Sequence, residues 1–200
     1  MNKTIAIPAG KFHYFLCHLI GMYLFSVTLS WAADVPAPVR QSGQSTSYAT
    51  GDDGALKKGV AWPGPRFTDN GDGTVKDNLT GLVWMKNANC WGGQNWANAL
   101  SKVASLNAGS VSCTGYTTGT HTDWRLPNKR ELISLIDSSQ HSLAFPSGHP
   151  FSGVQADYYW SSTTYAGFTD DAWIVRLYNG YVANFGKTYS YYVWPVRGGQ

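Results

Sequence analysis

Asp69, Asp72 and Asp77 fall in the run FTDNGDGTVKDN, a Gly- and Asn-rich stretch of the kind that can hold calcium. An EF-hand loop needs oxygen ligands at its first, third and fifth positions and glycine at the sixth. Counted from Asp69, the third and fifth positions are Gly71 and Gly73, so the pattern fails. Aspartate and asparagine in a tight turn explain the composition without metal. His121, His141 and His149 form no pair at ligand spacing. No serine sits in a nucleophile-elbow motif. The sequence therefore assigns no catalytic residue, no metal ligand and no cofactor. Trp124-Arg125-Leu126-Pro127-Asn128 looks like a signature, but its content is structural. Trp124 and Leu126 suit a core, and Arg125 is expected to hold a buried carboxylate, with Asp123 or Asp137 as candidate partners, or backbone carbonyls.

The other chemistry is recognition. Thirteen aromatic residues lie between Tyr158 and Trp194, against four charged ones, Asp170, Asp171, Arg176 and Lys187. Tyrosine offers a large, stiff ring at low entropic cost and a hydroxyl at its tip. The expected ligand-binding set is Arg176, Tyr178, Tyr181, Phe185, Tyr189, Tyr191, Tyr192 and Trp194. The rings would stack on a ligand, and Arg176 and Lys187 would add charge-assisted hydrogen bonds.

The elements that position these residues follow from their spacing. Lys3 and Lys11 precede an apolar run from Phe12 to Leu29, and Ser30-Trp31-Ala32 supplies small residues for cleavage after Ala32. Residues 1–32 read as a signal peptide, with a retained anchor helix as the rival reading. Loss of the leader leaves 13 basic against 12 acidic residues, too balanced to argue for nucleic acid or an anionic membrane. It also leaves two cysteines, Cys90 and Cys113, with no CxxC and no histidine beside them. An even pair in an exported chain is expected to oxidise to a disulfide. Residues 33–62 read as a disordered or linker lead, and residues 63–200 as one domain.

Within that domain, Arg66–Thr68 and Thr74–Lys76 read as a hairpin, and Leu82–Met85 as a third strand. Trp96, Leu100, Val103 and Leu106 form one apolar stripe, which predicts a helix over Asn95–Leu106. Asn128, with Glu131 three residues on, is a capping box that opens a second helix, with Leu132, Leu135 and Ile136 facing inward. Tyr158–Ser162 and Tyr191–Arg197 read as strands. Ala172–Tyr178 and Tyr181–Phe185 read as a hairpin on Asn179-Gly180 that pairs Tyr178 with Tyr181. Alternation puts Trp173, Val175, Leu177 and Val182 on a core face. It puts Ile174, Arg176, Tyr178, Tyr181 and Phe185 on the opposite, exposed face. The class is α+β.

Five strings in order carry a resemblance: FTDNGDGTVKDNLTGLVWMK (67–86), TDWRLPNKRELISLID (122–137), YYWSSTTYA (158–166), DAWIVRLYNG (171–180) and VWPVRGG (193–199). Together they resemble the C-terminal domain family of the Legionella collagen-like adhesin. The resemblance implies a C-type-lectin-like fold, related to formylglycine-generating domains, with two helices flanking a small, twisted, mostly antiparallel sheet. It also implies a ligand surface on the late strands. The adhesin's collagen-like Gly-x-y repeat is missing here, and so are the Glu-Pro-Asn and Gln-Pro-Asp tripeptides of calcium-dependent lectins.

The expectation is thus an exported, non-enzymatic domain that recognises a carbohydrate or protein ligand at a cell surface. It is expected in the periplasm, on the outer surface or secreted, with no nucleic-acid partner and no membrane span after cleavage. Three alternatives stand beside it. One is a sulfated-glycan adhesin. Another is a formylglycine-type oxidoreductase that would use Cys90 and Cys113. The third is a variable protein of a diversity-generating retroelement, whose adenine mutagenesis turns asparagine codons into tyrosine, serine or phenylalanine. Tyr178, Tyr181, Phe185, Tyr189, Ser190, Tyr191 and Tyr192 would fit such a set.

Overall fold

A computed structural model describes residues 39–198. The expected signal peptide, residues 1–32, and the first part of the lead, residues 33–38, lie outside the described residues. Among the described residues no helix is long and apolar enough to cross a membrane.

The elements begin within the lead. A short helix α1 (Asp53–Leu56) is capped by Asp52, whose carboxylate accepts the Ala55 N–H. Arg40 bridges Val60, and the Ser138 N–H donates to Ser42 O at 2.9 Å. The Trp62 indole donates to Gln41 O at 2.9 Å. The lead from Val39 to Trp62 is therefore bonded to itself and, through Ser42, to Ser138 of the domain, and is not a free linker.

Four strands form the first sheet: β1 (Phe67–Asp69), β2 (Thr74–Asp77), β3 (Val83–Met85) and β9 (Val196–Arg197), in that order and antiparallel throughout. The second sheet has the order β4-β8-β5-β6-β7. Its members are β4 (Gly93–Gln94), β5 (Tyr158–Thr164), β6 (Asp171–Arg176), β7 (Val182–Gly186) and β8 (Tyr191–Tyr192). Its pairs are antiparallel except β5 with β8, which meet in parallel at Tyr159 and Tyr192. The architecture is α+β, but with two sheets where one small sheet was expected. The expected strand Tyr191–Arg197 is the reason. It is split into β8 and β9, one in each sheet, with Trp194 between them.

Helix α2 (Trp96–Asn107) is capped by Asn95, whose side chain accepts the Asn98 N–H. Its buried stripe runs through Ala99, Val103 and Leu106. Leu100, expected in that stripe, is 36% exposed because Ala99 takes the inward position. Helix α3 (Lys129–Ser134) opens with the capping box that the sequence predicts. Glu131 N–H donates to Asn128 Oδ1 at 3.0 Å, and Asn128 N–H donates to Glu131 Oε2 at 2.7 Å. Leu132 and Leu135 are buried and Ile136 is half-buried. The partner of Arg125 is Glu131, at 2.6 Å through both guanidinium nitrogens, and neither Asp123 nor Asp137. Asp123 instead accepts from Arg197 at 2.7 Å. The same Glu131 thus caps a helix and fixes Arg125, which also donates to Gly198 O.

Cys90 and Cys113 are joined by a disulfide across 23 residues, tying the segment after β3 to the segment after α2. A loop of that length predicts a loss of about 3 kcal/mol on replacing both cysteines by serine. Guanidinium unfolding of the two proteins measures it, and an unchanged midpoint would remove the crosslink from the stability of the fold. Acid should act through aspartates. The Lys86 ammonium holds the Asp69 carboxyl below its ordinary value, and Arg197 does the same for Asp123. A depressed folded pKa contributes stability that is complete above the unfolded value near ~3.9 and is lost as pH falls through the lower folded value. The melting temperature should therefore drop between about pH 5 and about pH 2, and the drop should be shallower in an Asp69→Asn, Asp123→Asn double variant.

Candidate functional site

Strand alternation builds the candidate site. On one face of the second sheet, β5 contributes Tyr158 and Trp160, and β6 contributes Ala172, Ile174 and Arg176. The register pairs Tyr158 with Arg176 and Trp160 with Ile174. Strand β7 adds Ala183 opposite Ile174 and Phe185 opposite Ala172.

The hairpin that carries Tyr178 and Tyr181 closes differently from the two-residue turn expected. Arg176 N–H donates to Tyr181 O at 2.8 Å, and Gly180 N–H donates to Arg176 O at 2.9 Å. Val175 faces Val182, so Leu177 through Gly180 form a four-residue loop. Leu177 leaves the ladder because it has other partners. Its N–H donates to Asp157 O, its carbonyl accepts from Ala144 N–H, and its side chain is fully buried. Gly180 has φ +76°, and a Cβ there would meet Ile136 at 2.9 Å. The register slip is two residues, which leaves the paired side chains of β6 and β7 on their expected faces.

The outer face is not uniformly open. Ile174, expected outside, is fully buried, as are Ala172 and Trp160. Trp173, expected in the core, is half-buried, with the Lys129 ammonium 3.7 Å above its ring and Tyr165 edge-on. What remains open is the strip near the hairpin loop and β8. There Tyr158 lies 5.2 Å from Tyr191 and 5.8 Å from Phe185. Phe185 lies 6.0 Å from Tyr189, and Tyr189 is nearly parallel to Tyr191 at 6.3 Å. The Arg176 guanidinium carbon is 5.1 Å from the centre of Tyr158 and 4.9 Å from that of Tyr178. A run of rings thus extends from Tyr178 across Arg176 and Tyr158 to Tyr189. Tyr178, Tyr181 and Tyr189 are 42%, 53% and 58% exposed.

Of the eight expected residues, Arg176, Tyr178, Phe185, Tyr189 and Tyr191 share this run, and Tyr181 flanks it opposite Arg176. Tyr192 does not join. It alternates with Tyr191, points to the other face and packs 5.6 Å from Tyr159. Trp194 is corrected outright. It is fully buried, donates its indole N–H to Met85 O at 2.7 Å, and packs against Trp84, Phe145, Phe151 and Tyr159. Lys187 is also engaged elsewhere, by Thr169 O, Thr164 Oγ1 and the ring of Trp96. Sequence reasoning missed Tyr158, although its alternation with Tyr159 was open to the same argument that placed Tyr178.

Electrostatically the strip is sparse. Arg176 Nε is buried without a hydrogen-bond partner. Burial, and then Tyr158, Tyr189 and Asp157, raise the pKa of the Tyr191 hydroxyl, so it stays a proton donor at neutral pH. The aspartates of the Gly-rich turn are already occupied. Asp69 accepts from Lys86 and Gly71, Asp72 from Thr74, and Asp77 from Arg66.

The model of the Lcl C-terminal domain family matches residues 73–197, more than half of the chain. The chain belongs to the Lcl C-terminal domain family. No curated protein matches the chain. The matched residues of the Lcl C-terminal domain include every residue of the aromatic strip, both cysteines and α3, and stop short of the lead that folds back from Val39.

Truncating Trp194 and truncating Tyr189 should separate core from surface. Trp194→Ala should cost about 3–5 kcal/mol, the range for a buried large aromatic. Tyr189→Ala should stay within about 0.5 kcal/mol of wild type, as surface positions do. Denaturant unfolding decides, and equal losses would erase the division.

Proposed function

We propose that this Lcl C-terminal domain is an exported, non-enzymatic binding domain that takes a glycan ligand on the strip formed by Tyr158, Arg176, Tyr178, Phe185, Tyr189 and Tyr191. The observation that carries the reading is the continuous run of half-exposed rings around one cation. Ring faces stack on the apolar faces of a sugar, and the tyrosine hydroxyls and Arg176 donate to its oxygens. Family membership supports an adhesin-type role, and a disulfide supports an oxidising compartment. We read the fold as C-type-lectin-like, since the late strands display the open strip while α2 packs on β5 and α3 on β5 and β6.

An uncharged glycan fits better than a sulfated one. Of the two cations of the late strands beside the strip, Lys187 is held by Thr169 and Thr164, which leaves Arg176; Arg197 lies in the other sheet, paired with Asp123. A Tyr158→Ala, Tyr189→Ala double variant should weaken binding on a glycan and cell-surface array by roughly a hundredfold, at ~1–1.5 kcal/mol per ring. The wild-type protein should pass a heparin column at physiological salt. Unchanged array binding by the double variant would exclude the strip, and retention on heparin would favour the sulfated ligand.

A further inference from the structure

The folded-back lead encloses a second feature. Between it and α3 lies a cleft of about 850 Å³, within the size range of small-molecule sites. Its apolar wall is Val60, Leu79, Ile133 and Ile136. Its charged rim is Arg40, Lys58 and Arg130 against one carboxylate, Asp53, which accepts from the Ser42 hydroxyl. The cleft shares no residue with the aromatic strip.

The charge behind this wall is also unbalanced. Arg66 is buried and holds Asp77 through Nε at 2.9 Å and Nη2 at 3.1 Å, and Nη2 also donates to Ser134 O in α3. Asp77 has no capacity left. Its two oxygens also accept from Leu79 N–H and the Thr80 hydroxyl, on two residues that line the cleft. Arg66 Nη1 is buried without a partner. Arg40 is half-buried near the same pair, and burial and then Arg66 lower the pKa of its guanidinium. Two guanidinium groups thus lean on one saturated carboxylate, and two further cations border the opening. Buried cations are ordinarily paired, and their cost falls when an anion reaches them.

We propose that the cleft binds a small amphiphilic anion, with a carboxylate head at Arg40 and Arg130 and a short aliphatic body on Leu79, Ile133 and Ile136. Both parts of the ligand are required by the lining. Charge alone would leave the apolar wall bare, and a neutral chain would leave the cations unpaired. The site depends on the lead, because Arg40, Lys58 and Val60 all come from it.

Octanoate is the probe, titrated into the purified protein and followed by amide NMR shifts and calorimetry. One octanoate should bind saturably and move the amides of Ser42, Ile133, Ile136 and Ser138. Acetate and 1-octanol should each bind at least tenfold more weakly. Arg130 is exposed and makes no side-chain hydrogen bond among the described residues, so Arg130→Gln should fold normally and weaken octanoate about tenfold. Arg40→Gln should do the same. Tyr158→Ala, Tyr189→Ala should leave octanoate binding intact, which separates this site from the glycan reading. Absence of saturable octanoate binding, equal binding of octanol, or unchanged affinity in Arg130→Gln would overturn the proposal.

Discussion

Everything in this domain hangs on the passage of one short segment between two sheets. Tyr191 and Tyr192 pair in the second sheet, Val196 and Arg197 in the first, and Trp194 sits where the two meet. Its ring touches Trp84 from β3, Tyr159 from β5, and Phe145 and Phe151 from the connection before β5. Its indole N–H is satisfied by Met85 O, and the Met85 N–H donates in turn to Pro195 O. A buried tryptophan with its one donor paired is a large apolar payload without a desolvation penalty. The Arg125–Val196 bridge holds the same segment from the other side, with both backbone bonds made.

That anchor sets the chemistry of the surface. With Trp194 held in the core and Tyr192 against Tyr159, alternation leaves Tyr191 no choice but the opposite face. There it meets Tyr158 and Phe185, and Trp160 beneath it at 4.9 Å. The strip is therefore half core. Its inner rings are fixed by packing, and its outer rings, Tyr178 and Tyr189, are supported from below. A recognition surface of this kind loses little entropy on binding, because the rings are already ordered.

Local signals were the legible ones. The capping box of α3 needs only Asn128 and Glu131, so it is readable from four consecutive residues. The pairing of Cys90 with Cys113 is readable from the count of two cysteines outside the expected leader. The faces of the paired residues of β6 and β7 also survived, because the hairpin slipped by an even number. What could not be read depends on distant partners. Leu177 leaves its strand for Asp157 and Ala144, neither of which the hairpin sequence contains. Trp194 looks like any tyrosine neighbour until the first sheet is placed beside it. Glu131, already assigned to a cap, has a second oxygen for Arg125. The lead is polar and aperiodic, and it is held by backbone and indole hydrogen bonds that leave no hydrophobic period to detect.

The distribution of charge ties these points together. In a chain this close to neutral, four cations of the described residues are matched by carboxylates: Arg66 with Asp77, Lys86 with Asp69, Arg125 with Glu131 and Arg197 with Asp123. Lys129 and Lys187 lie over tryptophan rings. Among the described residues, the cations beside the strip or the cleft that make no salt bridge and do not lie over a tryptophan ring are Arg176 on the aromatic strip and Arg40, Lys58 and Arg130 at the cleft. A guanidinium keeps its charge wherever it is placed, so an unpaired one beside apolar surface carries a cost that a scaffold does not need. Both places offer flat or apolar contact beside the charge, and they differ in what surrounds it. Rings surround Arg176, which suits a flat polar ligand. Aliphatic side chains surround Arg40 and Arg130, which suits a flexible anion.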